Sequence, residues 1–231
     1  MAGSKRRRQQ QKARRRWPIT RQGWINRWRK SMLRIRDRVT ELWVDREVYR
    51  RYREIIESNS ALPKNNLFFS TLRNMYVSHV AMALRTFGDT DLRSYSLHNL
   101  IEEIHDHANQ ITRARFVRRW PTQQRAIGEN IFRSNWGRHR LNKTWLKRDI
   151  KALLSHYRIV KRLADKFVAH DDRRKARKLP TYKQLDSALD NIFEMVSRYC
   201  TLLLGHAWGT PNMQKWTGVF ERPWLAIETE R

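Results

Sequence analysis

Residues 158–172 read Arg158-Ile159-Val160-Lys161-Arg162-Leu163-Ala164-Asp165-Lys166-Phe167-Val168-Ala169-His170-Asp171-Asp172, and two interleaved periods run through them. Val160, Leu163 and Phe167 recur at three and four residues, the spacing of one apolar face of an α-helix. Arg158, Arg162, Lys166 and His170 fall four apart, so on the same helix they form a stripe with Cβ atoms about 5–6 Å apart. His170 also continues the apolar series, which places it where the buried seam meets the cationic stripe, near a helix end. A histidine among cations titrates below its ordinary value and can act as general acid or base near neutral pH, with Lys166 and Arg162 holding a phosphate. The competing reading is structural: a ring that caps the helix C-terminus and bonds Asp171 or Asp172.

Helical periodicity continues in both directions from this stretch. Apolar stripes predict helices over about 38 to 58, 65 to 87 (Phe69, Leu72, Met75, Tyr76, Val80, Ala83, Leu84, Phe87), 96 to 111 (Leu97, Leu100, Ile101, Ile104, Ala108, Ile111), 143 to 169 and 181 to 206. Leu62 to Asn66 and Gly88 to Asp91 read as breaks, and Ser96 as an N-cap. With eight Gly, six Pro and little strict alternation in 231 residues, the fold class expected is all-α, an antiparallel helical bundle.

Forty-nine Lys and Arg stand against 22 Asp and Glu, a formal charge of +27. Residues 1–36 hold fourteen basic residues and no acid, and the remainder is still basic at +13. Like-charge repulsion predicts that roughly the first sixteen residues are disordered without a polyanion. Trp24, Ile25, Trp28, Met32 and Ile35 then form an apolar face opposite Arg21, Arg27, Arg29, Lys30, Arg34 and Arg36. Three supports suit that basic amphipathic helix: nucleic acid, an anionic membrane, or the protein's own core. The expected organisation is a basic extension over 1–36, a helical domain over 37–208 and a Trp- and Pro-containing tail over 209–231 whose Trp residues suit packing back on the domain.

A basic folded body points to phosphates rather than to a localisation signal alone. Residues 112–148 carry eleven Arg and Lys against one acid, Glu129, with Trp120, Trp136 and Trp145 interspersed. RNA or single-stranded nucleic acid is the expected partner, with Arg113, Arg115, Arg118, Arg119, Arg138, Arg140 and Arg158 as phosphate contacts and Trp136 as a stacking surface. An Arg-favouring genome or an acidic protein partner would also give a basic composition. The single cysteine, Cys200, forms no disulfide framework, and no apolar run approaches the roughly 20 residues of a membrane span. No cofactor is expected: Gly-rich phosphate loops, nucleophile elbows and zinc-protease motifs are absent. Glu102, Glu103, His105, Asp106 and His107 are metal-ligand types, but they lie beside an apolar stripe on what should be a solvated face, and no metal is assigned. A cytoplasmic location is expected. An acid-free Arg-rich N-terminus also resembles a transit peptide or nuclear signal, against which Trp24, Trp28 and the scarcity of Ser weigh.

The order of features resembles the HEPN superfamily (higher eukaryotes and prokaryotes nucleotide-binding), in particular its abortive-infection AbiU-like branch. Three stretches carry the likeness: Ala83-Leu84-Arg85-Thr86-Phe87-Gly88-Asp89 followed by Ser96-Leu97-His98-Asn99-Leu100-Ile101, then Asp165 to Asp172, then Pro180-Thr181-Tyr182-Lys183-Gln184-Leu185. The resemblance implies an antiparallel bundle over roughly 37 to 206, a homodimer whose motif helices meet across a two-fold axis, a possible antitoxin partner, and RNA cleavage without metal involving His170, Lys166, Arg162 and Asp165. Many catalytic members carry an Arg four to six residues before the His, usually next to the residue that corresponds to Asp165. Ala164 stands at that place, and Arg162 lies about 12 Å from His170 along a helix, too far for both to grip one phosphate from one chain. The departure bears on cleavage and favours a non-catalytic scaffold that binds nucleic acid or a ribonucleoprotein.

Overall fold

The computed structural model describes residues 20–58, 67–163 and 181–211. Seven α-helices follow one another through them: α1 Arg21–Ser58, α2 Leu67–Phe87, α3 Leu97–Asp106, α4 Arg113–Val117, α5 Arg125–Trp136, α6 Lys143–Leu163 and α7 Tyr182–Leu204. Short 3-10 turns at Ala108–Gln110 and Thr122–Gln124 connect the middle of the chain. No strand forms among the described residues; a single antiparallel bridge joins Thr112 and Arg140.

One helix, α1, runs through position 36, where the composition changes from acid-free to mixed. The cause lies in the stripe itself. Trp28, Met32, Ile35, Val39 and Leu42 continue the same three- and four-residue spacing across Arg36 and are all buried in the core. Of the three supports open to the basic amphipathic segment, its apolar face takes the protein's own core. Each such side chain contributes about 1.5–3 kcal/mol through burial, ample to hold a helix whose other face is almost entirely charged. Thr20 starts the helix by accepting the Gly23 N–H at 3.2 Å.

The neighbours of α1 run antiparallel to it. Arg29 meets Leu203, Arg46 meets Asp190 and Tyr49 faces Tyr182, which sets α7 against α1 along most of its length. Trp24 stacks on His107, Arg27 pairs with Glu103 at 2.6 Å and Arg38 donates to the Tyr95 carbonyl, which places α3 beside its first half. Tyr49 stacks on Tyr76 with ring centroids 3.9 Å apart, which brings α2 against its second half. Helix α7 is the central element, buried from Leu185 to Leu203 on most of its circumference, and α6 closes the bundle against α2, α3 and α7.

Two of the three stretches that resemble the HEPN family lie among the described residues and have structural duties. The Ser96 hydroxyl caps α3 by accepting the Asn99 N–H at 3.1 Å and donates to the Asp89 carbonyl at 2.6 Å, while the Asn99 amide donates to the Asp91 carbonyl. The loop between α2 and α3 is thereby stitched shut. Gly88 lies flat under Tyr157 of α6, where an added Cβ would meet the ring at 2.5 Å. At the start of α7, Thr181 and Gln184 form a reciprocal capping box. Beyond α7, Trp208 folds back on the core, its indole N–H donating to Thr40 Oγ1 at 3.0 Å. Trp216 and Trp224 of the tail, and the first nineteen residues, lie outside the described residues.

Candidate nucleic-acid interface

Helix α7 ends where Gly205 turns left-handed at φ 90°, a conformation open to glycine. The Gly205 N–H takes the carbonyls of Cys200 and Thr201, and the next two carbonyls are left without a backbone partner. Arginines take them. Arg29 of α1 donates Nε to the Leu203 carbonyl at 2.9 Å, and Arg119 donates to the carbonyls of Leu202 and Leu203. Its guanidinium also lies over the Phe116 ring, 5.2 Å from the centroid. Burial first, and then the like charge of Arg29, holds the Arg119 pKa down to about 10.

Around these two groups opens a pocket of about 340 Å³. The first turns of α1 give it Arg21 and Arg29, and the segment around α4 gives it Arg115, Arg118 and Arg119. Arg21 is fixed by donating to the Gln110 carbonyl. Ile25, Ile111 and Phe116 supply apolar wall, and none of the described residues lining the pocket is acidic. Arg115 and Arg118 are exposed and form no ion pair with a described residue. Five guanidinium groups thus converge without a counter-charge from the described part of the chain, an arrangement that suits phosphate oxygens.

The sequence-derived contacts divide on this geometry. Arg115, Arg118 and Arg119 line the pocket. Arg113, Arg138 and Arg140 sit together beside the Thr112–Arg140 bridge, where the Arg113 N–H donates to the His139 carbonyl, and do not line it. Arg158 is exposed on α6 and does not line it either. Trp136 is corrected outright as a stacking surface: only 3% exposed, it packs edge-on to Phe116 at 5.5 Å and beside Phe132 at 5.8 Å. Aromatic residues among arginines suggest base stacking from composition, but the i, i+4 pair Phe132 and Trp136 is the apolar face of α5. Trp145 is the exposed tryptophan of that region.

His170, Lys166 and Asp165 lie outside the described residues, and Arg162 lies in α6 without a described side chain. The acid and histidine set at the end of α3 is engaged in the fold: Glu103 pairs with Arg27, His107 lies on the face of Trp24, and His105 and Asp106 pair with each other. No group of three or more His, Cys, Asp or Glu among the described residues could hold a metal ion. No helix among them is long and apolar enough to cross a membrane. Sequence reasoning does not single out Arg21 and Arg29 as site residues because they reach Arg119 only through the fold, some ninety residues away in the chain; their signal was the cationic face of the acid-free amphipathic segment.

Comparison with curated proteins and with solved structures finds no match. The family model for AbiU2, a HEPN family, matches residues 23–218 and so takes in nearly all of α1 together with every later helix. With the antiparallel all-α bundle described above, this match establishes that the chain belongs to the AbiU2 family of HEPN proteins.

Proposed function

We propose that this HEPN protein binds single-stranded RNA and serves in defence or as a toxin, as a homodimer that an antitoxin could restrain. The observation that supports RNA is the pocket of five arginines with no described acid on its walls. Phosphate contacts of this kind dominate affinity and are largely indifferent to sequence. With Trp136 inside the core, base stacking contributes less than the Trp content suggests, so recognition rests on charge. Cleavage, where it occurs, uses His170 as acid or base and Lys166 or a partner chain's Arg162 on the phosphate, without metal.

A second reading has its own observation. Ala164 stands where catalytic relatives carry arginine, which favours a non-catalytic bundle that binds RNA or a ribonucleoprotein. Two measurements separate the readings. RNA cleavage by the purified full chain that drops to background in H170A supports the enzyme; equal background in both removes it. Retention of RNA by H170A together with its loss in R115Q/R118Q supports the binding protein, and failure of the unaltered chain to bind RNA at low salt defeats both.

A further inference from the structure

The pocket holds more positive charge than the described part of the fold uses. A helix C-terminus carries about half a negative elementary charge, and Arg29 and Arg119 already bring two guanidinium groups to the last carbonyls of α7. Arg115 and Arg118 line the same space and serve no described carbonyl or acid. Among the described residues nothing balances that charge, so the pocket suits a ligand that brings more than one negative unit. At about 340 Å³ the space lies at the small end of the roughly 300–1,000 Å³ of ligand pockets, suited to one charged group with its nucleoside rather than to a length of strand. Three of the arginines are already fixed on backbone carbonyls, so little side-chain freedom remains to be lost on binding.

An internal phosphodiester offers one charge and two free oxygens. A terminal phosphomonoester offers about −1.5 to −2 at neutral pH and three free oxygens, a better match to several guanidinium forks. We propose that the pocket of Arg21, Arg29, Arg115, Arg118 and Arg119 receives the phosphorylated end of a single-stranded RNA, and that internal backbone does not run through it. The inference rests on the RNA-binding reading and specifies which part of the RNA enters. A free nucleoside monophosphate presents the same group.

The test is fluorescence anisotropy of the full chain with one short single-stranded RNA in three forms: 5′-phosphate, 3′-phosphate, and hydroxyl at both ends. One phosphorylated form should bind about tenfold or more tighter than the hydroxyl form, as expected for an added charged hydrogen-bonding group. That advantage should vanish in R115Q/R118Q. Competition by adenosine monophosphate, with adenosine as control, separates the sources. Displacement shows that the phosphate with one nucleoside suffices, and a phosphate advantage that survives the competitor assigns the pocket to the RNA end; both support the site. Equal, salt-sensitive binding of all three forms would overturn the end preference and leave RNA binding standing. A preference that persists in R115Q/R118Q would overturn the location, and no binding of any form would overturn the RNA reading as well.

Discussion

At the residue scale, single atoms decide whether helices can approach. A Cβ at Gly88 would sit 2.5–2.7 Å from the root of the Tyr157 side chain, which cannot swing away as a flexible tip would. G88A should therefore destabilise the chain by about 1–3 kcal/mol, read as a lower urea midpoint. Cys200 is fully buried and its thiol is pushed up to about 12, by burial above all. In the native chain at pH 8 it should resist a thiol reagent and react only on unfolding. His156 has its pKa lowered by burial, so the unfolded chain binds its proton more readily. The neutral ring's contribution to stability is present above the unfolded value of about 6.5 and is lost as pH falls through the lower folded value. H156Q should flatten the loss of stability on acidification in that window, as followed by thermal melts. Local chemistry of this kind is partly legible in sequence: Ser96 reads as a cap because the hydroxyl and the apolar run sit together in the chain. The closeness of Gly88 to Tyr157 is not, because it depends on how α2 and α6 cross.

At the scale of elements, α6 and α7 are tied by one carboxylate. Asp149 accepts from the Tyr199 hydroxyl at 3.0 Å and from Arg198 at 2.9 Å. The Tyr199 ring is wholly buried and its hydroxyl is held well above its ordinary pKa, by burial first and then by Asp149. D149A leaves that hydroxyl without a partner and should cost about 1–3 kcal/mol, whereas Y199F removes the need for the bond and should cost less. A urea-denaturation double-mutant cycle measures the difference. Helix α1 shows what periodicity can and cannot reveal. Its apolar stripe from Trp28 to Leu42 is legible, yet the change of composition at Asp37 reads as a domain boundary because charge is counted by segment, while the core selects by face. Trp136 failed as a stacking surface for the same reason: the face of α5, not the arginine content around it, decided where the ring points.

At the scale of the whole molecule, the all-α bundle was legible because five long stripes share one period, and the family resemblance fixed their order. The arginine pocket was only half legible. Arg115, Arg118 and Arg119 stand out in a basic stretch, but Arg21 and Arg29 join them only when α1 lies antiparallel to α7 and brings its start to the end of that helix. The excess charge of +27 thereby acquires a place, an arginine pocket at one end of the bundle that continues in sequence into an acid-free run. The account depends on phosphate contacts made there, and these release counterions, so for single strands the logarithm of affinity falls against the logarithm of salt with a slope of about −0.7 per phosphate neutralised. The most direct measurement is that slope, for the full chain and for R115Q/R118Q, on one single-stranded RNA. The account predicts steep salt dependence in the unaltered chain and a slope shallower by about 0.7, the loss of one neutralised phosphate, in the variant; a binding constant indifferent to salt, or a slope unchanged by removing both arginines, would contradict it.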